Sequence, residues 1–262
     1  MNPTSLKAAI CLNLAAILIL VAPAARAGVV YIDKLTTVQT NAVTFESATN
    51  TTIASVDAVG GFRTIELSST GNSINTEDSR LRVLTNSAGG GPRLILGAGT
   101  DATANFTVTW GGANGTAGLG SVDFADGITN LSLLDSTLNF SLLSADLANS
   151  ITWTFTDSYG TTATYTQLLN PKPAFNPITS PAIQYAVSLA SFAGGGSIDW
   201  TTIDFITLSG GGVPSLDMTL GGAFSIYATP PIPEPGTWAA AGLLLLTALY
   251  VRRRRMRATT EE

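Results

Sequence analysis

From about residue 28 to residue 229 the chain alternates apolar and polar side chains with a period of two, the signature of strands that bury one face. Ile151, Trp153 and Phe155 interleave with Thr152, Thr154 and Thr156. Turn residues Asp157-Ser158-Tyr159-Gly160 follow, and alternation resumes from Thr161 to Leu168, which predicts a hairpin. Phe106, Val108 and Trp110 mark another strand, and Phe224, Ile226 and Ala228 the last. Further strands are expected over Val29–Asp33, Phe62–Ser68, Arg80–Thr85, Arg93–Leu96, Leu131–Leu134, Thr137–Leu142, Ile183–Ala190 and Ile203–Leu208. Glycine-rich breaks are expected at Gly89-Gly90-Gly91, Gly194-Gly195-Gly196 and Gly210-Gly211-Gly212, and one short helical turn near Ser144–Asn149. About a dozen short strands without regularly alternating helices predict an all-β fold, an antiparallel β-sandwich of jelly-roll type, and argue against a doubly wound α/β fold.

Both ends of the chain break this pattern. At the amino end Lys7 precedes an apolar run, Ala8 to Ala22, interrupted by Asn13. Pro23 and the small residues Ala25 and Ala27 then set up a signal-peptidase site, and cleavage there leaves Gly28 as the new terminus. An uncleaved amino-terminal anchor is the alternative. At the other end Pro233-Glu234-Pro235-Gly236 is followed by an apolar run from Trp238 to Val251 and then by Arg252, Arg253, Arg254 and Arg255, with Arg257 close behind. At about 1.5 Å per residue this run spans roughly 21 Å, short of the roughly 30 Å hydrocarbon core. Trp238 at one interface and snorkelling arginines at the other compensate in part. Retention of the basic end in the cytoplasm places the body on the far side of the inner membrane. The alternative, a buried core helix, does not account for five arginines within six residues.

The order of a Pro-Glu-Pro motif, a short hydrophobic helix and a basic terminus resembles the PEP-CTERM sorting signal of Gram-negative bacteria that make extracellular polysaccharide. The resemblance covers about residues 230–262. It implies membrane insertion, recognition of Pro233, Glu234 and Pro235 by exosortase, an integral-membrane cysteine protease, and delivery to the cell surface or matrix. The expected organisation is a signal helix over 1–27, a β-sandwich over 28–229 and a sorting signal over 230–262 that contains a short transmembrane helix.

Composition then narrows the chemistry. Six basic residues, Lys34, Arg63, Arg80, Arg82, Arg93 and Lys172, face fifteen acidic ones in the body, a net of −9 that disfavours nucleic acid as a partner. The one cysteine, Cys11, lies in the leader, and there is no histidine. A Ser-His-Asp or Cys-His nucleophile and a Cys/His zinc site are therefore unavailable, and no disulfide braces the fold. A carboxylate-only hydrolase needs two acids across one bond, and the body glutamates are Glu46, Glu66 and Glu77. The expectation is a non-catalytic protein.

Two binding chemistries remain. Asp199, Asp204 and Asp217, or Asp123 and Asp126 before Gly127, can be imagined around calcium, although their spacing fits no defined loop and aspartates in turns more often bond their own backbone. Trp110, Tyr159 and Trp200 sit at expected strand ends or loops, where an exposed ring stacks on the C–H face of a pyranose; the same rings also suit a core. Phe192–Leu208 and Thr154–Gly160 resemble the closing strand and central hairpin of jelly-roll domains related to carbohydrate-binding modules. That resemblance implies a polysaccharide partner; the expected role is structural or adhesive in the extracellular matrix, with a carbohydrate-binding module, calcium-dependent or not, as the alternative.

Overall fold

The computed structural model describes residues 28–44, 46–55, 57–71, 79–85, 91–111, 119 and 136–228. The leader, the sorting signal, the expected strand Leu131–Leu134, and Asp123 and Asp126 lie outside the described residues. Among the described residues thirteen strands follow in order: β1 Gly28–Asp33, β2 Gln39–Val43, β3 Ser47–Ala54, β4 Phe62–Gly71, β5 Ser79–Leu84, β6 Arg93–Gly97, β7 Ala102–Gly111, β8 Ser136–Ala145, β9 Asn149–Asp157, β10 Thr162–Leu169, β11 Ile183–Ser188, β12 Ile203–Pro214 and β13 Asp217–Ala228. They form two antiparallel sheets, the all-β sandwich that alternation predicts. Sheet A runs β11-β8-β13-β6-β5-β2, with β1 also paired to β13, and sheet B runs β10-β9-β12-β7-β4-β3.

Inward residues of each strand meet between the sheets. Trp110 of β7 and Trp153 of β9 stack with centroids 5.7 Å apart and planes 10° from parallel. Phe224 of the opposite sheet stands edge-on to both rings, at 5.8 and 5.2 Å. Offset and edge-on contacts of this kind match the positive edge of one ring to the negative face of another. A second aromatic group, Phe155, Phe192 and Trp200, fills the core under β9 with centroid separations of 5.2 to 6.1 Å.

Four local expectations are corrected. Strands β2 and β3 escape the alternation signal because their inward side is polar: Gln39 accepts from the buried Arg63 and donates to Thr51, and Asn41 donates to the Ile65 carbonyl. The glycines Gly210-Gly211-Gly212 are not a break but part of β12, at a register shift against β7. Gly211 has φ +108°, and a Cβ there would lie 2.1 Å from the Ala104 carbonyl oxygen, so only glycine fits this bulge. The helical turn expected at Ser144–Asn149 does not form, because the Ala145 and Asp146 amides donate to the Lys172 and Asp217 carbonyls at 3.0 and 3.1 Å. Strand β11 stops at Ser188, whose hydroxyl accepts from the Ala190 amide at 3.3 Å and starts a 3-10 turn over Leu189–Ser191.

The ion pair of Asp33 and Arg63 lies wholly inside. The Asp33 carboxylate accepts from Arg63 Nη1 at 2.7 Å, Trp110 Nε1 at 2.8 Å and the Leu35 amide at 2.7 Å. Arg63 completes its fork on Gln39 Oε1 at 2.9 Å and the Thr37 carbonyl. Both charged side chains are inaccessible to solvent, so the pair persists because each charge has its hydrogen bonds filled. It pins the end of β1 to β4 across the sheets.

Candidate functional site

Of the three rings expected to form a sugar platform, the structure leaves one at the surface. Trp110 is inaccessible, with its indole N–H on Asp33, and Trp200 is buried with its N–H on the Gly195 carbonyl at 3.0 Å. Neither offers a face to a ligand, which corrects that reading: large rings at these strand ends gain more from the core than from water. Tyr159 is 79% exposed.

Tyr159 sits on the turn between β9 and β10, and the turn is built around Asp157. One carboxylate oxygen of Asp157 accepts from the Tyr159 and Thr161 amides at 2.9 and 2.8 Å. The other accepts from the Asp199 amide at 3.0 Å, which ties the β9–β10 turn to the loop before β12. The Ser158 amide donates to the Thr202 carbonyl at 2.9 Å, and Gly160 closes the turn with φ +82°. Burial pushes the Asp157 carboxyl up, but the Asp199, Thr161 and Tyr159 amides outweigh it and hold the group below the usual carboxylate range. Asp199 is likewise lowered, first by the Thr201 hydroxyl, which donates to it at 2.6 Å. The result is an exposed phenol on a turn with little freedom left to lose on binding.

From this corner the outer face of sheet B extends across all six strands. Register places Thr164, Thr154, Thr207, Thr109, Thr64 and Thr52 in one row, one threonine per strand. The next row is Thr166, Thr152, Ser209, Thr107, Glu66 and Asn50, so a single charge occurs among twelve positions and the face is nearly neutral. Neighbouring hydroxyls bond each other, Thr52 to Thr64 at 2.8 Å and Thr152 to Thr166 at 2.9 Å, while Asn50 donates to Glu66 at 3.1 Å. A shallow groove crosses β3, β4 and β7 over Asn50, Glu66, Asn105 and Thr107. Thr-x-Thr phrases are visible in the sequence, but their alignment into rows depends on register, which a single sequence does not display.

The aspartates considered for calcium are dispersed. Asp199 bonds Thr201, whereas Asp217 lies by Asp146, whose carboxylate accepts from the Asp217 amide at 2.8 Å. Burial, then the Asp146 charge, pushes the Asp217 carboxyl up, and Arg82 partly offsets this. Among the described residues no group of three or more acidic side chains is placed to hold a metal ion. Glu66 lies on the outer face of β4, Glu46 occupies a left-handed turn position with φ +47° before β3, and Glu77 lies outside the described residues.

The sequence signal that fixes the protein's route lies beyond the sandwich, where the family profile described as the PEP-CTERM protein-sorting motif matches residues 231–255. The chain carries a PEP-CTERM sorting signal. The PEP-CTERM match bears out the resemblance drawn from Pro233, Glu234 and Pro235 and marks an exported protein anchored transiently in a membrane before release. Trp238, Val251 and the arginines from 252 to 255 lie within it and outside the described residues. Among the described residues no helix is long and apolar enough to cross a membrane.

In overall structure the chain is similar to a family 11 carbohydrate-binding module from Clostridium thermocellum in complex with a β-1,3-1,4-mixed-linked tetrasaccharide. The identity is 12%, the TM-score 0.36, and the match covers 78% of this chain and 96% of the other. It is also similar to a family 30 carbohydrate-binding module of a Clostridium thermocellum cellulosomal cellulase, at 14% identity and TM-score 0.35, covering 60% and 84%. An exo-β-agarase matches at 13% identity and TM-score 0.38, covering 60% of this chain and 22% of the enzyme. No curated protein sequence matches the chain.

Proposed function

We propose that this is an exported cell-surface or matrix protein whose folded body has a non-catalytic, structural or adhesive role beside extracellular polysaccharide. Signal peptidase removes the leader after Ala27, leaving Gly28. The helix Trp238–Val251 then holds the chain in the inner membrane, with Arg252, Arg253, Arg254 and Arg255 retained on the cytoplasmic side. Pro233 and Pro235 keep the backbone extended and remove amide donors, and Glu234 adds one charge just outside the bilayer for an exosortase-type protease to read. The observation that carries this reading is the PEP-CTERM match over residues 231–255. Replacing Pro233, Glu234 and Pro235 together by alanine tests it: the protein is expected to accumulate in the membrane fraction, and undiminished release would refute recognition at this motif.

Carbohydrate binding is the second reading, favoured by the rigid display of Tyr159 beside a hydroxyl-lined, nearly neutral sheet face. A glycan array probed with the mature protein, with and without calcium, measures it. Binding lost in Tyr159→Ala at unchanged Tm supports the reading, and an array without signal opposes it.

A further inference from the structure

The first and last strands of the sandwich lie side by side. Strand β1 pairs with the end of β13 in the register Gly28 to Ala228 and Val29 to Tyr227, so both ends of the folded body emerge at one place on sheet A. The inward members of this pair are ordinary core, since Ile32, Phe224 and Ile226 are inaccessible. The outward members are not. Val29, Tyr31 and Tyr227 are each exposed by 40% or more and form a small patch next to the point where the chain leaves for its sorting signal.

The side-chain charges beside this patch are already balanced, and leader removal adds one positive charge, the α-amino group of Gly28. Lys34 lies 5.1 Å from the centre of the Tyr31 ring and pairs with Asp57 at 3.5 Å, and Asp33 is turned inward onto Arg63. A valine and two tyrosines, apolar bodies with polar tips, suit the headgroup layer of a bilayer, where tyrosine is enriched. Chain length keeps that layer within reach: ten residue steps separate Ala228 from Trp238, at most about 35 Å when fully extended.

We infer that Val29, Tyr31 and Tyr227 form a lipid-docking patch that rests on the phospholipid headgroup layer while the tail is anchored. The inference builds on the membrane anchoring proposed above. Three side chains bind a bilayer weakly by themselves. A short tether, however, supplies an effective concentration in the range of about millimolar, so a patch of millimolar affinity is occupied when anchored and vacated when the tail is cut. Docking then ends with processing, and the same surface does not hold the released protein at the membrane. Because the nearby side-chain charges are paired and a lipid phosphate can meet the one α-amino charge, zwitterionic lipid suffices.

Thiol labelling gives a clean test, because the one cysteine, Cys11, leaves with the leader and the protein from Gly28 onward has none. Val29→Cys and, as a control on the edge strand β10, Leu168→Cys carry an environment-sensitive fluorophore in the leader-free chain, Gly28 to Glu262 with its tail intact, reconstituted into phosphatidylcholine vesicles. The label at 29 is expected to be several-fold less accessible to iodide than the label at 168 and to be quenched by nitroxide-bearing lipid. Both effects should vanish when an introduced protease site between Ala228 and Trp238 is cut. Tyr227→Asp, with Tm unchanged to show that it folds, should restore iodide access without releasing the chain. Equal iodide access at 29 and 168 in a chain that floats with the vesicles overturns docking and leaves anchoring intact. A chain that does not float at all overturns anchoring, and docking falls with it.

Discussion

Asp33 and Asp157 are both buried acids at strand ends, yet they solve the cost of burial in opposite ways. Asp33 meets a guanidinium and an indole and disappears into the core. Asp157 has no cation: three backbone amides, those of Tyr159, Thr161 and Asp199, satisfy it, and in doing so they fix the two loops that present Tyr159. The first carboxylate holds the sheets together, and the second holds a surface feature still. The contrast teaches that the partner set of a buried charge, more than its burial, decides whether it serves stability or display.

The largest effect should come from Arg63→Ala, which leaves Asp33 buried without its counter-charge and costs about 3–5 kcal/mol in urea unfolding. A loss below about 1 kcal/mol would mean that water reaches this corner. Trp110→Phe keeps most of the ring packing but removes one donor to the same carboxylate, and is expected to cost about 1.5–3 kcal/mol. Asp157→Ala should act locally. Hydrogen exchange at the Tyr159, Thr161 and Asp199 amides rises, with a smaller change in Tm than Arg63→Ala produces.

Acid should reproduce that local loosening. With its folded pKa below the unfolded value, Asp157 contributes stability that is present above the unfolded carboxylate pKa, near about 4, and is lost as pH falls through the folded value. Amide exchange in the turn, read against core amides of β9, should therefore rise specifically below about pH 4. Unchanged relative protection would remove Asp157 as the organiser. Tyr159→Ala, at an exposed position, is expected to change stability by less than about 0.5 kcal/mol, so any larger loss would show the ring packs instead of displaying.

Sequence reasoning reached those parts of the fold in which local pattern and burial agree. The hairpin of β9 and β10, the strand through Phe106 and Trp110, and the strand through Phe224 and Ile226 all put apolar residues inward at period two. It failed at β2 and β3, whose inward polar residues are satisfied by partners far along the chain: Gln39 accepts from Arg63 and Asn41 donates to the Ile65 carbonyl, each 24 positions away, and Gln39 also donates to Thr51. It also failed at Gly211, where a bulge and a loop share one composition. Of the three rings considered for sugar binding, the exposure of Tyr159 was legible from its turn, but the inward direction of Trp110 and Trp200 was not, because such a tryptophan suits either face until the opposing sheet is known. The threonine rows needed register between strands up to about 100 residues apart, which no local window contains. The sorting signal, by contrast, is a contiguous run of residues, and linear sequence sufficed to find it.

The central claim is that this chain is processed at its Pro-Glu-Pro motif on the way out of the cell. Mass spectrometry of the carboxyl terminus of the protein released from the cell surface tests it most directly. Processing at this motif leaves a terminus near Pro233–Pro235, with the apolar run and arginines removed. A released protein that still carries Arg252 through Glu262 would contradict it.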